Sequence, residues 1–447
     1  MANIGIQLHT YDVFPGVTLT VLPTDRFKVG MLSLSFALPF SKQDGTARSL
    51  LLSVLRRGCQ KYPSIADINR RLDELYATPY RVIDNTRAGV QYMGFGAELL
   101  DDRYLPEDMD LCGEVISLMR DMLFYPLREG ENGTGNLCER YIEQEKKNAI
   151  DLLRSLHNEP SSYAYARFLD EFRCDDTRRL PLLHGAEERL LRLTPENLTR
   201  VWRDVLKSAP LQCFYIGGIA PDRLVMHLRQ ELQPAFDRVG RDTTFVQASC
   251  IAAPCWGELR QIEEQSESGQ SHLILGWRSG ITLQSPEYYA MMLCNELLGQ
   301  SPISRLFVHV REAHSLCYSC SSRYSVMEGE LSVACGISAE NKERATAAIL
   351  EQIDVLKRGE FTEVEWLAAK KSLIGGCRQL EDSTRGLADF YKIRLPLNSD
   401  HTIQKYIDRF ELLTREEVMA AASKLQLEMI YFRRGRGGER EEDEDDD

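Results

Sequence analysis

No histidine occurs from Thr10 to Leu156 of this 447-residue chain. Imidazole is the commonest metal ligand, so a histidine-built metal site in the first third is excluded. Long apolar runs are also missing. The longest, such as residues 31–40, fall far short of the ~20 residues that span a bilayer. The opening MANIGIQLHTYDVFPG has neither a basic nor an apolar leader segment, so no signal peptide is expected. An excess of positive charge is absent as well: the formal net charge is −13, and residues 433–447 hold four Arg and eight acidic residues of it. Phosphate backbones demand clustered Lys and Arg, so nucleic acid is not the expected partner. No G-x-S-x-G, H-E-x-x-H or P-loop motif is present.

What is present is ordinary globular material, with 43% hydrophobic and 27% charged residues. At about 150 residues per domain the length suggests two to three domains. Twelve cysteines without a secretion signal read as reduced thiols, several of them in cores, and predict a cytoplasmic location.

Two segments share a layout at an offset of roughly 240 residues. PSIADINRRLDELYATPYRVIDNTRAGVQYMGFG and SPISRLFVHVREAHSLCYSCSSRYSVMEGELSVACGISAE each open on a Pro/Ser helix start. Each then runs through an amphipathic helix into two alternating strands, with turns at 87–89 and 328–329. LQCFYIG and LEMIYF are apolar strands that close the two halves. The predicted fold is α+β: two tandem homologous halves, each an antiparallel-rich sheet packed against helices. The expected domains are 1–236, a linker at 237–254, a second half at 255–432 and a disordered acidic tail at 433–447. Helices are expected at 46–56, 64–76, 109–122, 139–155 and 195–206. The second half should carry them at 286–298, 303–313, 342–358, 362–379 and 415–425.

The stretch LLGQSPISRLFVHVREAHSLCYSC, the later VMEGELSVACGIS, and GCQKYPSIADINRRLDELYATPY with YIGGIAPDRL in the first half resemble the blocks of the insulinase/pitrilysin-type zinc metallopeptidases, over about residues 10–432. Among these the chain is most similar to the half-length bacterial type that works as paired subunits. More narrowly, it resembles the inactive member associated with elongation factor P 5-aminopentanol modification.

Active members of that family carry His-x-x-Glu-His on a helix, two imidazoles on one face binding Zn²⁺ and the glutamate acting on its water. Here the slot lies between Gly45 and Gly58 and reads TARSLLLSVLRR. Counted from Gly45 its three positions are Arg48, Leu51 and Leu52; counted back from Gly58 they are Ser49, Leu52 and Ser53. Neither register offers a zinc ligand. The vestigial third-ligand position is Glu145, which without its partners reads as part of a solvated helical face.

The resemblance also implies an Arg and a Tyr seven residues apart that grip substrate: Arg311 and Tyr318. A guanidinium fork holds a carbonyl or carboxylate, and a phenol donates to a developing oxyanion. By their spacing alone the two residues read as an Arg capping or pairing with Glu312 or a neighbour and a half-buried strand Tyr. The implied function is a non-catalytic subunit that binds peptide and supplies Arg311 and Tyr318 to a zinc-bearing paralogue. The chain itself then needs no cofactor, and zinc is expected only in the partner. A self-standing peptide-binding homodimer, or an enzyme with an unrecognised site, are the alternatives. Cys317 and Cys320 stand three apart on a predicted strand, so they should face opposite ways. His309 and His314 flank Arg311 and read as surface residues of a helix end.

Overall fold

The computed structural model describes residues 8–130, 133–176, 178–243, 248–250, 252–253, 255–312, 316–397 and 402–436. The first half runs β1 (His9–Phe14), β2 (Val17–Pro23), β3 (Val29–Pro39), α1 (Gly45–Leu55), α2 (Ile65–Glu74), β4 (Tyr80–Arg87) and β5 (Val90–Leu100). It continues with α3 (Leu111–Phe124), α4 (Glu139–Ser155), α5 (Pro160–Phe172), α6 (Ala186–Leu191), α7 (Pro195–Ser208), β6 (Leu211–Gly217) and α8 (Pro221–Val239). The second half runs β7 (Arg260–Gln265), β8 (Ser271–Arg278), α9 (Tyr288–Gly299), a π-helical segment (Leu306–Glu312), β9 (Cys317–Ser325) and β10 (Glu330–Ile337). Helices α10 (Lys342–Arg358), α11 (Glu363–Leu380), α12 (Thr384–Arg394), α13 (Ile403–Leu412) and α14 (Arg415–Ser423) follow, and β11 (Gln426–Arg434) closes it.

The sheets have the orders β1-β2-β6-β3-β5-β4 and β7-β11-β8-β10-β9. With β1 set aside, the two correspond strand for strand in order. In each, the closing strand pairs in parallel with one edge (β6 with β2, β11 with β7) and antiparallel with the central strand (β3, β8). The α+β architecture of two similar halves is therefore what the chain adopts. Helix α2 shows why the boundaries were legible: Ser64 accepts from the Asp67 N–H while Asp67 reaches back to the Ser64 N–H, a capping box.

Three expectations change. Helix α8 runs to Val239, so the linker expected from 237 begins inside a helix, and β11 reaches Arg434, two residues into the expected tail; residues 437–447 lie outside the described part. The segment expected as an α-helix over 303–313 is π-helical at Leu306–Glu312. Its extra residue per turn is a geometry that apolar spacing does not reveal. Helices α5, α6, α12 and α13 were not anticipated. Helix α5 is buried on more than one side and shows no single clean apolar stripe, whereas the buried positions of α12, Leu387, Ala388, Phe390, Tyr391 and Arg394, do share one face.

Those two helices knit the halves together. Each follows the long helix of its own half and packs on the other half's sheet. Ala164, Phe168 and Phe172 of α5 lie with Ile274, Met429 and Tyr431 of the second sheet. Gly276 makes this possible: a Cβ there would sit 2.8 Å from the Phe168 ring. Each fully buried Phe stabilises by about 1.5–3 kcal/mol. Reciprocally, Leu387, Ala388 and Tyr391 of α12 share one core with Met31, Phe214 and Ile216 of the first sheet. No helix among the described residues is long and apolar enough to cross a membrane.

Candidate functional site

Helix α1 is amphipathic in an unusual sense: one side is core, the other faces a cavity. Leu51 and Leu52 are buried in the first half's core, and Arg48 donates from Nη1 to the Pro39 carbonyl at 2.7 Å. The cavity has a volume of about 710 Å³, and its walls include Thr46, Ser49 and Ser53 of α1, Asp84 and Asn85 of β4, and Ala149 of α4. Counting back from Gly58 thus sets the two outer positions of the slot, Ser49 and Ser53, on the open side. Their hydroxyls are neutral and weak as Zn²⁺ ligands, and Leu52 is core in either register. The slot does not fit zinc. Among the described residues no group of three His, Cys, Asp or Glu side chains is placed to hold a metal ion.

Glu145 corrects the expectation of a solvated face. It is buried, forms an ion pair with Arg57 just beyond the end of α1, and accepts from Asn148 Nδ2 at 3.2 Å. One turn further along α4, Ala149 lines the cavity instead. Only the antiparallel packing of α1 on α4 identifies that position; an alanine gives no signal in sequence.

In the second half, Arg311 and Tyr318 line one open cavity of about 470 Å³ together with Phe307, Leu316 and Asn341. The Arg311 guanidinium lies 4.9 Å from the Phe307 ring centroid, a cation–π contact. It forms no ion pair with Glu312 or any other described carboxylate. Tyr318 is 67% exposed, on β9, an edge strand. The two residues are thus brought together and left open to an incoming group.

A β-bulge aims Tyr318. The register of β9 on β10 slips between Ser319↔Gly336 and Cys317↔Ile337, so Tyr318 is the extra residue. Tyr318 and Ser319 both point outward, while Cys317 and Cys320 turn to the same inner side. The expectation of opposite faces fails for this reason. Cys320 Sγ is 2.7 Å from Cys335 Sγ on the facing strand. The Cys320 and then the Cys335 thiol hold Cys317 below the usual thiol range, helped by the Arg311 charge. His314 lies outside the described residues.

Residues 192–373 match the family model described as the peptidase M16 inactive domain. The chain is 26% identical to the probable inactive metalloprotease YmfF of Bacillus subtilis (strain 168), over 95% of this chain and 97% of that one. In structure it is similar to a conserved protein from Enterococcus faecalis V583, with a TM-score of 0.86 at 22% identity, covering 96% of this chain and 99% of that one. A peptidase M16 inactive domain from Pseudomonas fluorescens matches with a TM-score of 0.72 at 17% identity, covering 96% and 98%. The tandem sheets, the ligand-free α1 slot and these likenesses agree: the chain is a homologue of the M16 peptidases, the insulinase/pitrilysin type, and is similar to their inactive members.

Proposed function

We propose that this chain is the non-catalytic subunit of an M16-type peptidase pair, binding peptide and lending Arg311 and Tyr318 to a site completed by a zinc-bearing partner. The observation that carries the reading is the shared cavity of Arg311 and Tyr318, with the phenol 67% exposed and the guanidinium in no ion pair with a described carboxylate. Such donors are what a peptide carbonyl needs as negative charge develops on its oxygen. Strands β4 and β9 are edges of their sheets, and an extended peptide can add to either by main-chain hydrogen bonds. Asp84 and Asn85 of β4 also line the cavity beside α1, which gives a bound peptide room for side chains. The twelve cysteines are all free, which supports a reducing, cytoplasmic setting.

The test is co-expression with a paralogue that carries His-x-x-Glu-His. A complex should co-purify and cleave peptides, and Tyr318→Phe or Arg311→Ala should lower kcat by about 10²-fold. Absence of a complex, or unchanged cleavage by both variants, rejects the reading. Peptide binding by a dimer of this chain alone would favour the self-standing alternative.

A further inference from the structure

Where α12 crosses onto the first sheet, the packing is incomplete. A chamber of about 580 Å³ opens between them, within the range typical of small-molecule sites. Its walls hold four cations: Arg81 and Arg87 from β4, and Arg385 and Lys392 from α12. None of the four is in an ion pair with a described carboxylate. Arg81 donates to the Met31 sulfur, and the Lys392 ammonium sits 5.2 Å from the Phe214 ring centroid. Two carboxylates share the chamber, Asp84 and Asp389, and both are largely exposed. The balance is therefore two positive charges when Lys392 is protonated, with the Asp389 charge acting on both Arg87 and Lys392.

Partly desolvated cations are normally paired, because removing water from a charge is costly. Lys392 shows that cost: burial first, then the Arg81 charge, pull its ammonium down to about 7. Burial also lowers Arg87. The rest of the lining is rich in donors. Thr10, Thr18, Thr20, Ser33 and Ser35 present hydroxyls from the sheet face. Tyr92 keeps its phenolic proton, its pKa pushed up to about 12 by burial. Guanidinium, ammonium and hydroxyl groups lining one space match phosphate and carboxylate oxygens.

We propose that this chamber binds a small molecule carrying two or more phosphate or carboxylate groups. Such a ligand bridges β4 and α12, and so joins the two halves at a place where their own side chains leave the charge unbalanced. The site is independent of any peptidase partner.

The full chain should be titrated with inorganic pyrophosphate and, separately, with citrate, against sodium chloride of matched ionic strength. Saturable binding by calorimetry, with a rise in the unfolding midpoint, is expected for at least one probe, and the preferred probe names the phosphate or carboxylate class. Lys392→Met and the exposed-rim variant Arg385→Gln should each weaken it roughly tenfold, with ligand-free unfolding midpoints showing that both fold. No saturable binding of either probe beyond the salt control overturns the proposal. So does binding that both variants leave unchanged, or binding of an acidic peptide but of neither probe.

Discussion

The two helices that cross between the halves make the same connection with opposite chemistry. On the α5 side, Phe168 stacks on Phe172 with centroids 5.1 Å apart. Arg173 meets Glu330 at 2.6 Å and Arg278 meets Glu428 at 3.3 Å, while Arg167 meets Glu264 at 2.6 Å and Arg179 pairs with Glu328. The gap left there is about 220 Å³. On the α12 side the sheet face is threonine and serine, the gap is about 580 Å³, and four cations have no carboxylate at ion-pair distance. One crossing is closed by aromatics and balanced charge; the other stays open. Topology therefore says where a helix lands, and the side chains decide whether the landing is a joint or a receptacle.

The largest effect should come from the closed side. Phe168→Ala removes a fully buried ring and should cost about 3–5 kcal/mol in urea unfolding. A loss below about 1 kcal/mol would mean that α5 is not the main joint. Next in size is a pair of cation deletions with opposite expected effects. Arg278→Met leaves Glu428 buried without its cation, while Glu330 keeps Arg173, and should cost about 3 kcal/mol. Lys392→Met removes a cation that is in no ion pair with a described carboxylate and should leave stability unchanged or raise it in anion-free buffer.

The pH dependence of that second variant sharpens the contrast. A folded-state pKa of about 7 lies below the ordinary lysine value near 10.4. Between these values the unfolded chain binds the proton that the folded chain has released, so stability rises with pH. Below pH 7 both states hold it and the full penalty applies. The gain from Lys392→Met should thus be largest at pH 6 and fade by pH 10, and a flat difference would contradict the burial of this ammonium. The smallest stability effect is expected at the outward-facing bulge: Tyr318→Phe should stay within about 0.5 kcal/mol of the parent in the same assay.

Much of the frame was legible in the sequence. The α4, α10 and α11 ranges emerge from 3.6-residue spacing and caps, and both hairpin turns fall where Gly89 and Gly329 take positive φ. The loss of zinc ligands was also legible, because arginine and leucine in one register and serine and leucine in the other are all wrong for the metal. Less visible was anything set by contact across the chain. Glu145 looked like surface until α4 met Arg57. The alternation in CYSCSSRYS hid one extra residue, which reverses the faces of Cys317 and Cys320. The cations of the chamber come from Arg81 and Arg87 on one side and Arg385 and Lys392 on the other, some 300 residues apart, and no local pattern links them.

The exchange of α5 and α12 bears on how the chain could be divided. The linker near residue 250 looks like a natural place to cut, since it separates two similar sheets. Yet each fragment would keep a helix made for the other's sheet and lack the helix that covers its own. Neither fragment would be a self-contained half. Produced together, each would find its missing cover only on the other, so the nicked protein should reassemble as a split pair.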